Sequence, residues 1–243
     1  MSCNSHRLVR KYRPEDRDAV RWICCQTGML GHPIDPVFQD RELFADYLTS
    51  YYTDMEPESC FVVEHRGKVV GYLIGSRDHA KRKKFQRKLL IKLFLKGLWR
   101  LVTLQYNAAT RKYIGWIIFR GWREIPEAPK DTPHFHINLL PEGRSVSDTY
   151  RLIQSFLDYL VEKGEKKVCG QMVVYDGKRG PKMFARYGWK ILNWSRITKF
   201  EQHHPKPVYL YTVAKDLTTK DNLTGTDAHK TQSKNVEAVS VHP

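Results

Sequence analysis

Strand-like and helix-like stretches alternate along most of this chain, and that alternation restricts it to layered α/β architectures. Residues 133–140 read as a strand and lead into a Pro-Glu-Gly turn. Ser147 or Asp148 then opens a helix with Leu152, Phe156, Leu157 and Leu160 on one face, ending near Gly164. Residues 167–174 form the next strand, 180–187 a short helix closed by Gly188, and 190–200 and 209–215 the last two strands. Upstream, residues 6–12 read as a strand. Arg13-Pro14-Glu15-Asp16 starts a helix that runs to Gly28, with Val20, Ile23 and Cys24 on one side. Asp40 caps a second helix carrying Leu43, Phe44, Tyr47 and Leu48. Cys60–His65 and Lys68–Ser76, separated by Arg66-Gly67, pair as a hairpin.

Charge is distributed very unevenly. Of a formal net charge of +15, residues 80–130 hold +12, from fourteen Lys/Arg against Glu124 and Glu127. Within this segment residues 89–104 are apolar except for Lys92, Lys96 and Arg100, whose spacing of four puts them in one stripe on a helix. Lys81-Arg82-Lys83-Lys84 precede that stretch. A second apolar-aromatic run, 113–119, follows it. Two readings are open: a helical lid packed over the domain, or an interfacial helix in peripheral contact with an anionic membrane. Nucleic acid is a weaker partner, since no recognised binding motif accompanies the basic and aromatic residues.

The five cysteines (Cys3, Cys24, Cys25, Cys60 and Cys169) show no paired spacing, so free thiols in a reducing compartment are expected. The first twenty residues are polar and charged and carry no secretory signal. No uncharged apolar run reaches the roughly 18 residues of a membrane span. The expected location is the cytoplasm, with the inner membrane face added if the basic segment meets lipid. Residues after 216 hold few large apolar side chains and are expected to be a disordered polar tail.

His134-Phe135-His136-Ile137-Asn138-Leu139-Leu140-Pro141 and Met183-Phe184-Ala185-Arg186-Tyr187-Gly188-Trp189 carry a resemblance. The first is similar to the central strand of a bacterial subgroup of the GNAT superfamily of acetyltransferases, and the second to the end of that family's last helix. The resemblance implies a mixed, mostly antiparallel sheet flanked by helices, spanning residues 1–215, with 80–130 as a basic helical insertion before the central strand and 216–243 as the tail. It also implies transfer of an acetyl or other acyl group from acyl-coenzyme A to an amine acceptor by direct attack, with no metal. The alternative is a module of the same fold without chemistry, binding an anionic membrane or partner through its basic segment.

The family's phosphate-binding turn corresponds to Arg144-Ser145-Val146-Ser147-Asp148-Thr149. Backbone N–H groups and the helix dipole converge there on a pyrophosphate. Arg144 fits the family pattern; Ser147 and Thr149 stand where glycines are usual, and Asp148 brings a negative charge. Backbone N–H groups near Leu139 and Leu140 are expected to polarise the thioester carbonyl. The family's tyrosine acid corresponds to Phe184, which has no proton to give, so Tyr187, three residues on, is the candidate substitute. The subgroup's strand carboxylate is Asn138, which cannot act as a base. His136 is the candidate base, with an ordered water as the alternative. His134, on the same strand face, is expected to be a hydrogen-bonded structural histidine, and the pair lacks the further ligands a zinc site needs.

Overall fold

The computed structural model describes residues 7–175 and 180–218. Cys3, His6 and the tail from residue 219 lie outside the described residues. The first strand, β1, is Arg7–Lys11. A single helical turn at Pro14–Asp16 leads into α1, Arg17–Thr27, and Asp40 caps α2, Arg41–Met55, by accepting the Leu43 N–H at 3.1 Å. The hairpin is β2, Cys60–His65, and β3, Lys68–Ser76. Its two turn residues, Arg66 and Gly67, both adopt positive φ, as a tight hairpin turn requires.

The connection from β3 to the next strand is helical. It comprises α3, His79–Val102, α4, Ala108–Trp116, a π-helical turn at Ile117–Gly121 and the short α5, Trp122–Glu124. The helix begins at His79, ten residues before the apolar run, because Asp78 caps it by accepting the Lys81 N–H at 2.8 Å. Strand β4 is His134–Leu139, followed by α6, Val146–Glu162, β5, Lys167–Val174, and α7, Pro181–Arg186. The last strands are β6, Lys190–Arg196, and β7, Tyr209–Asp216.

Toward the end of the chain, two strand boundaries differ from the sequence reading. The strand expected over 190–200 stops at Arg196, because Ile197 and Phe200 turn in to form a small core with Val208. At the end of the neighbouring β7, order continues past 215: Leu217 is buried and its N–H donates to the Lys166 carbonyl.

The seven strands run in the order β1-β2-β3-β4-β5-β7-β6, antiparallel at every junction except β4–β5. Side chains alternate between the two faces. Phe135 and Gly75 face α6, where Phe156 packs against them. His134, His136 and Asn138 face the opposite layer, where α1 and α2 lie. The main core fills both layers, from Val20 and Ile23 through Leu73 and Ile74 to Leu152 and Leu160.

Gly75 shows how tightly α6 sits on the sheet. A Cβ there would lie 2.2 Å from a ring carbon of Phe156, which is fully buried. Gly75→Ala is expected to cost about 2 kcal/mol of stability by overpacking, read from the urea midpoint at unchanged slope. An unchanged midpoint would show that the ring yields.

The four described cysteines are free and buried. Burial pushes Cys24 up to about 12 and both Cys25 and Cys169 up to about 11. They remain protonated and act as small apolar groups.

Candidate active site

β4 and β5 pair only at the first two residues of β4. His134 pairs with Cys169 and Phe135 with Gly170, and beyond that the two strands part although both continue. The separation leaves one edge of β4 without a strand partner. Which donors lie along that edge follows from the other edge. Leu140 donates its N–H to the Val70 carbonyl at 2.9 Å. Bonded and non-bonded pairs alternate in an antiparallel ladder, so Asn138 and His136 also bond across to β3. The N–H groups of Ile137 and Leu139 therefore point into the gap beside β5. Of the two donors expected from sequence, Leu139 is available. Leu140 is not, because its N–H is already bonded to Val70.

The turn after β4 places a second set of donors at the same end of the strand. Ser145 caps α6, its Oγ accepting the Asp148 N–H at 2.9 Å. The helix thus starts at Val146, ahead of the Ser147 or Asp148 expected. Thr149 donates both its N–H and its hydroxyl to the Ser145 carbonyl, so its polar end is folded back on the helix. The N–H groups of Ser145, Val146 and Ser147 have no hydrogen-bond partner among the described residues, the usual state of a first helical turn. The side chains of Val146 and Ser147 are exposed.

Asp148 is not the acid beside this turn that the sequence suggested. It is buried, and its carboxylate meets Arg7 of β1 at 2.9 Å. Arg144 is also placed differently from expectation. Its guanidinium donates to the backbone carbonyls of Leu139 and Gly31. Those acceptors are neutral, so its positive charge is not cancelled by a carboxylate. The loop it holds spans the gap: the neighbouring Leu30 carbonyl accepts a hydrogen bond from Tyr175, just past β5, at 2.9 Å. Residues that follow each of the parted strands therefore grip the same short loop between α1 and α2.

On the α1/α2 side, the Tyr52 hydroxyl meets His134 Nε2 at 2.8 Å. Burial first, and then the positive charge of Arg82 on α3, hold His134 well below the ordinary histidine value. It is neutral and tethered, as its structural reading requires. His136 is different. No hydrogen bond to its ring is made among the described residues, and its neighbours are the rings of Tyr52 and His134, at 5.4 and 5.9 Å between centroids. Desolvation by the surrounding protein and the charge of Arg82 push it down to about 4. Water still reaches the ring, which is a neutral imidazole with an unused basic nitrogen.

Asn138 donates its Nδ2 to the Tyr72 hydroxyl at 2.7 Å, leaving Oδ1 as its remaining acceptor. Phe184 is buried against Tyr211, in keeping with a packing role. Tyr187 ends α7; its carbonyl accepts from Lys215, its ring is partly exposed, and no hydrogen bond joins it to β4 among the described residues. His136, Asn138, Leu139 and the 144–149 turn thus lie along one strand and the turn that follows it, while Tyr187 belongs to another element. Sequence reasoning missed Tyr52, Tyr72 and Arg82. Each reaches β4 from a distant part of the chain, and only the β3–β4 register, Tyr72 opposite Asn138, reveals one of these pairings.

No family model and no curated protein matches the chain. Solved structures do. SsHAT aligns over 88% of this chain and 99% of its own, with a TM-score of 0.55 and 24% identity. The polyamine N-acetyltransferase of Drosophila melanogaster aligns over 87% and 100%, with a TM-score of 0.51 and 14% identity. The putative acetyltransferase yncA from Salmonella typhimurium, solved with its cofactor acetyl-CoA, aligns over 87% and 94%, with a TM-score of 0.51 and 12% identity. At these identities the likeness establishes the fold, that of the GNAT acetyltransferases.

Proposed function

We propose that the protein transfers an acyl group, in the simplest case acetyl, from acyl-coenzyme A to an amine. One observation carries the reading. β4 and β5 part after Phe135 and Gly170, and the edge so freed presents Ile137 and Leu139 N–H groups next to the unpartnered N–H groups of 145–147. A thioester carbonyl and a linked pyrophosphate need these two donor sets at the two ends of one extended ligand. The residues present fit such a ligand: Asp148 is turned away to Arg7, and the Thr149 hydroxyl is folded back onto Ser145. The strand motif from His134 to Pro141 supports placement within the bacterial subgroup it resembles.

Acyl-coenzyme A supplies an activated acyl carbon and a thiolate leaving group. The chain supplies the rest. Leu139 N–H, aided by Ile137 N–H, polarises the thioester carbonyl. Asn138 Oδ1 orients the incoming amine. As the amine nitrogen bonds the acyl carbon and the carbon–sulfur bond breaks, neutral His136 accepts the proton the amine sheds, directly or through a water. Tyr187 is assigned the return of a proton to the departing sulfur. Holding donor and amine in one gap contributes much of the rate by proximity.

The test is thermal unfolding with and without coenzyme A. At 100 times its dissociation constant, the ligand is expected to stabilise the fold by about 2.7 kcal/mol. Absence of any shift at millimolar coenzyme A removes the enzymatic reading and leaves a non-catalytic module.

A further inference from the structure

The sequence placed Lys92, Lys96 and Arg100 in one basic stripe on a helix. In the structure Lys96 and Arg100 lie toward the body of the protein, and Arg100 is bonded to Asp40. The helix packs inward through Phe85, Leu89, Leu93 and Gly97, with only Leu93 fully buried. What turns outward is apolar apart from Lys92, which is exposed: Ile91, Phe94, Leu95, Trp99 and Val102 are each between 60% and 69% exposed. Scattered exposed apolar residues are ordinary, but a run of three helical turns on one face is not. At 1.5 Å per residue, the run from Ile91 to Val102 is about 17 Å long.

The same outward face changes character toward the helix start. Lys83, Lys84, Arg87 and Lys88 are exposed there, and none is in an ion pair with a described residue. No acidic residue occurs between Asp78 and Glu124. A second exposed set, Ile118, Phe119 and Trp122, follows α4 and is interleaved with Arg120 and Arg123. The occupant of this surface must therefore accept both large apolar side chains and several uncompensated cations.

A second copy of the chain fits poorly, since it would bring another strongly cationic segment alongside the first. The chain's own tail, residues 219–243, fits poorly too, because it is polar and carries few large apolar side chains. An anionic bilayer offers phosphate-bearing headgroups and an acyl boundary within several ångströms of each other. No described helix is long and apolar enough to cross a membrane, so contact is confined to the surface.

We propose that α3 docks on an anionic lipid surface, with its C-terminal half entering the acyl boundary through Phe94 and Trp99 and its N-terminal half resting on headgroups through Lys84 and Lys88. This docking stands independently of the acyl-transfer reading. The test is co-sedimentation of the full chain with vesicles of phosphatidylcholine alone and with vesicles containing phosphatidylserine. The expected result is binding to the anionic vesicles that weakens with added salt. Phe94→Ser with Trp99→Ser, and separately Lys84→Glu with Lys88→Glu, are each expected to lower binding by roughly tenfold or more. Both pairs are exposed, so unchanged circular dichroism and melting temperature would show that the fold is intact. The proposal is overturned if neither vesicle pellets the protein, or if the Phe94/Trp99 variant binds like wild type. It is also overturned if the wild type sediments as a dimer that this variant converts to a monomer without any vesicle binding.

Discussion

Replacing His136 with alanine is expected to lower kcat for acyl transfer by about 10²–10⁴-fold, the usual contribution of a positioned general base. The melting temperature should hardly move, because the ring makes no hydrogen bond among the described residues and is open to water. The pH profile separates a base from a packing group. Desolvation and Arg82 keep the His136 ring neutral well below the ordinary histidine value near 6.5. The wild-type rate should therefore hold through pH 7 and fall as acid titrates the ring toward about 4. That acid limb should vanish from the residual rate of the variant. Stability has the same sign: between those two pH values the unfolded ring binds a proton that the folded ring refuses, so acid favours unfolding. Equal kcat in wild type and His136→Ala would leave water as the base and return His136 to a passive role.

Asp40→Ala is expected to lose about 3 kcal/mol, the largest stability effect foreseen for a single side chain here. The carboxylate is buried and does three jobs. It caps α2 through the Leu43 N–H at 3.1 Å, accepts the Tyr106 hydroxyl at 2.8 Å and pairs with Arg100. Burial alone would push its pKa up, yet the Tyr106 hydroxyl, the Leu43 N–H and Arg100 together hold it below the ordinary carboxylate range. Its contribution is thus present above the unfolded value near 3.9 and lost as pH falls through the folded one. Removing the carboxylate leaves the buried Tyr106 hydroxyl unsatisfied and frees the end of α3 from α2. Asp40→Asn keeps an oxygen for the cap and should lose less. Denaturant unfolding of both variants at pH 7 gives the comparison, and equal losses would mean the cap contributes nothing.

The limits of the sequence reading follow the range of the interactions involved. The β2–β3 hairpin was legible to the residue because its turn, Arg66-Gly67, is encoded on the spot. The Asp40 cap was legible for the same reason. The outer face of α3 was not. Three charges spaced by four marked a stripe, but only packing against α2 decides which side of the helix is buried, and there Lys96 and Arg100 turned toward the protein while Lys92 stayed exposed. At the site, His136, Asn138, Leu139 and the turn after Pro141 could be read because they are consecutive. Their supports could not: Tyr52, Tyr72 and Arg82 arrive through helix and strand placement across long stretches of chain. The bond from Leu140 to Val70 belongs to the same class, and it reduced two expected donors on that edge to one.

Strands β3 and β4 are nearest neighbours, with Ser76 opposite His134, yet the chain travels from residue 77 to residue 133 between them. Both ends of that excursion are anchored where it leaves the sheet. Glu56 accepts the Arg77 N–H at 2.6 Å, and the Pro133 carbonyl accepts the Cys169 N–H at 2.8 Å. The departure and return points therefore sit one strand spacing apart, whatever the intervening residues do. A lineage carrying this scaffold can vary the outward residues of that appendage without shifting the pairing of the strands that frame His136, provided Arg82, Arg100 and Tyr106 keep their inward contacts. The outer surface of the appendage and the strand edge beside β5 are thus free to diversify at different speeds.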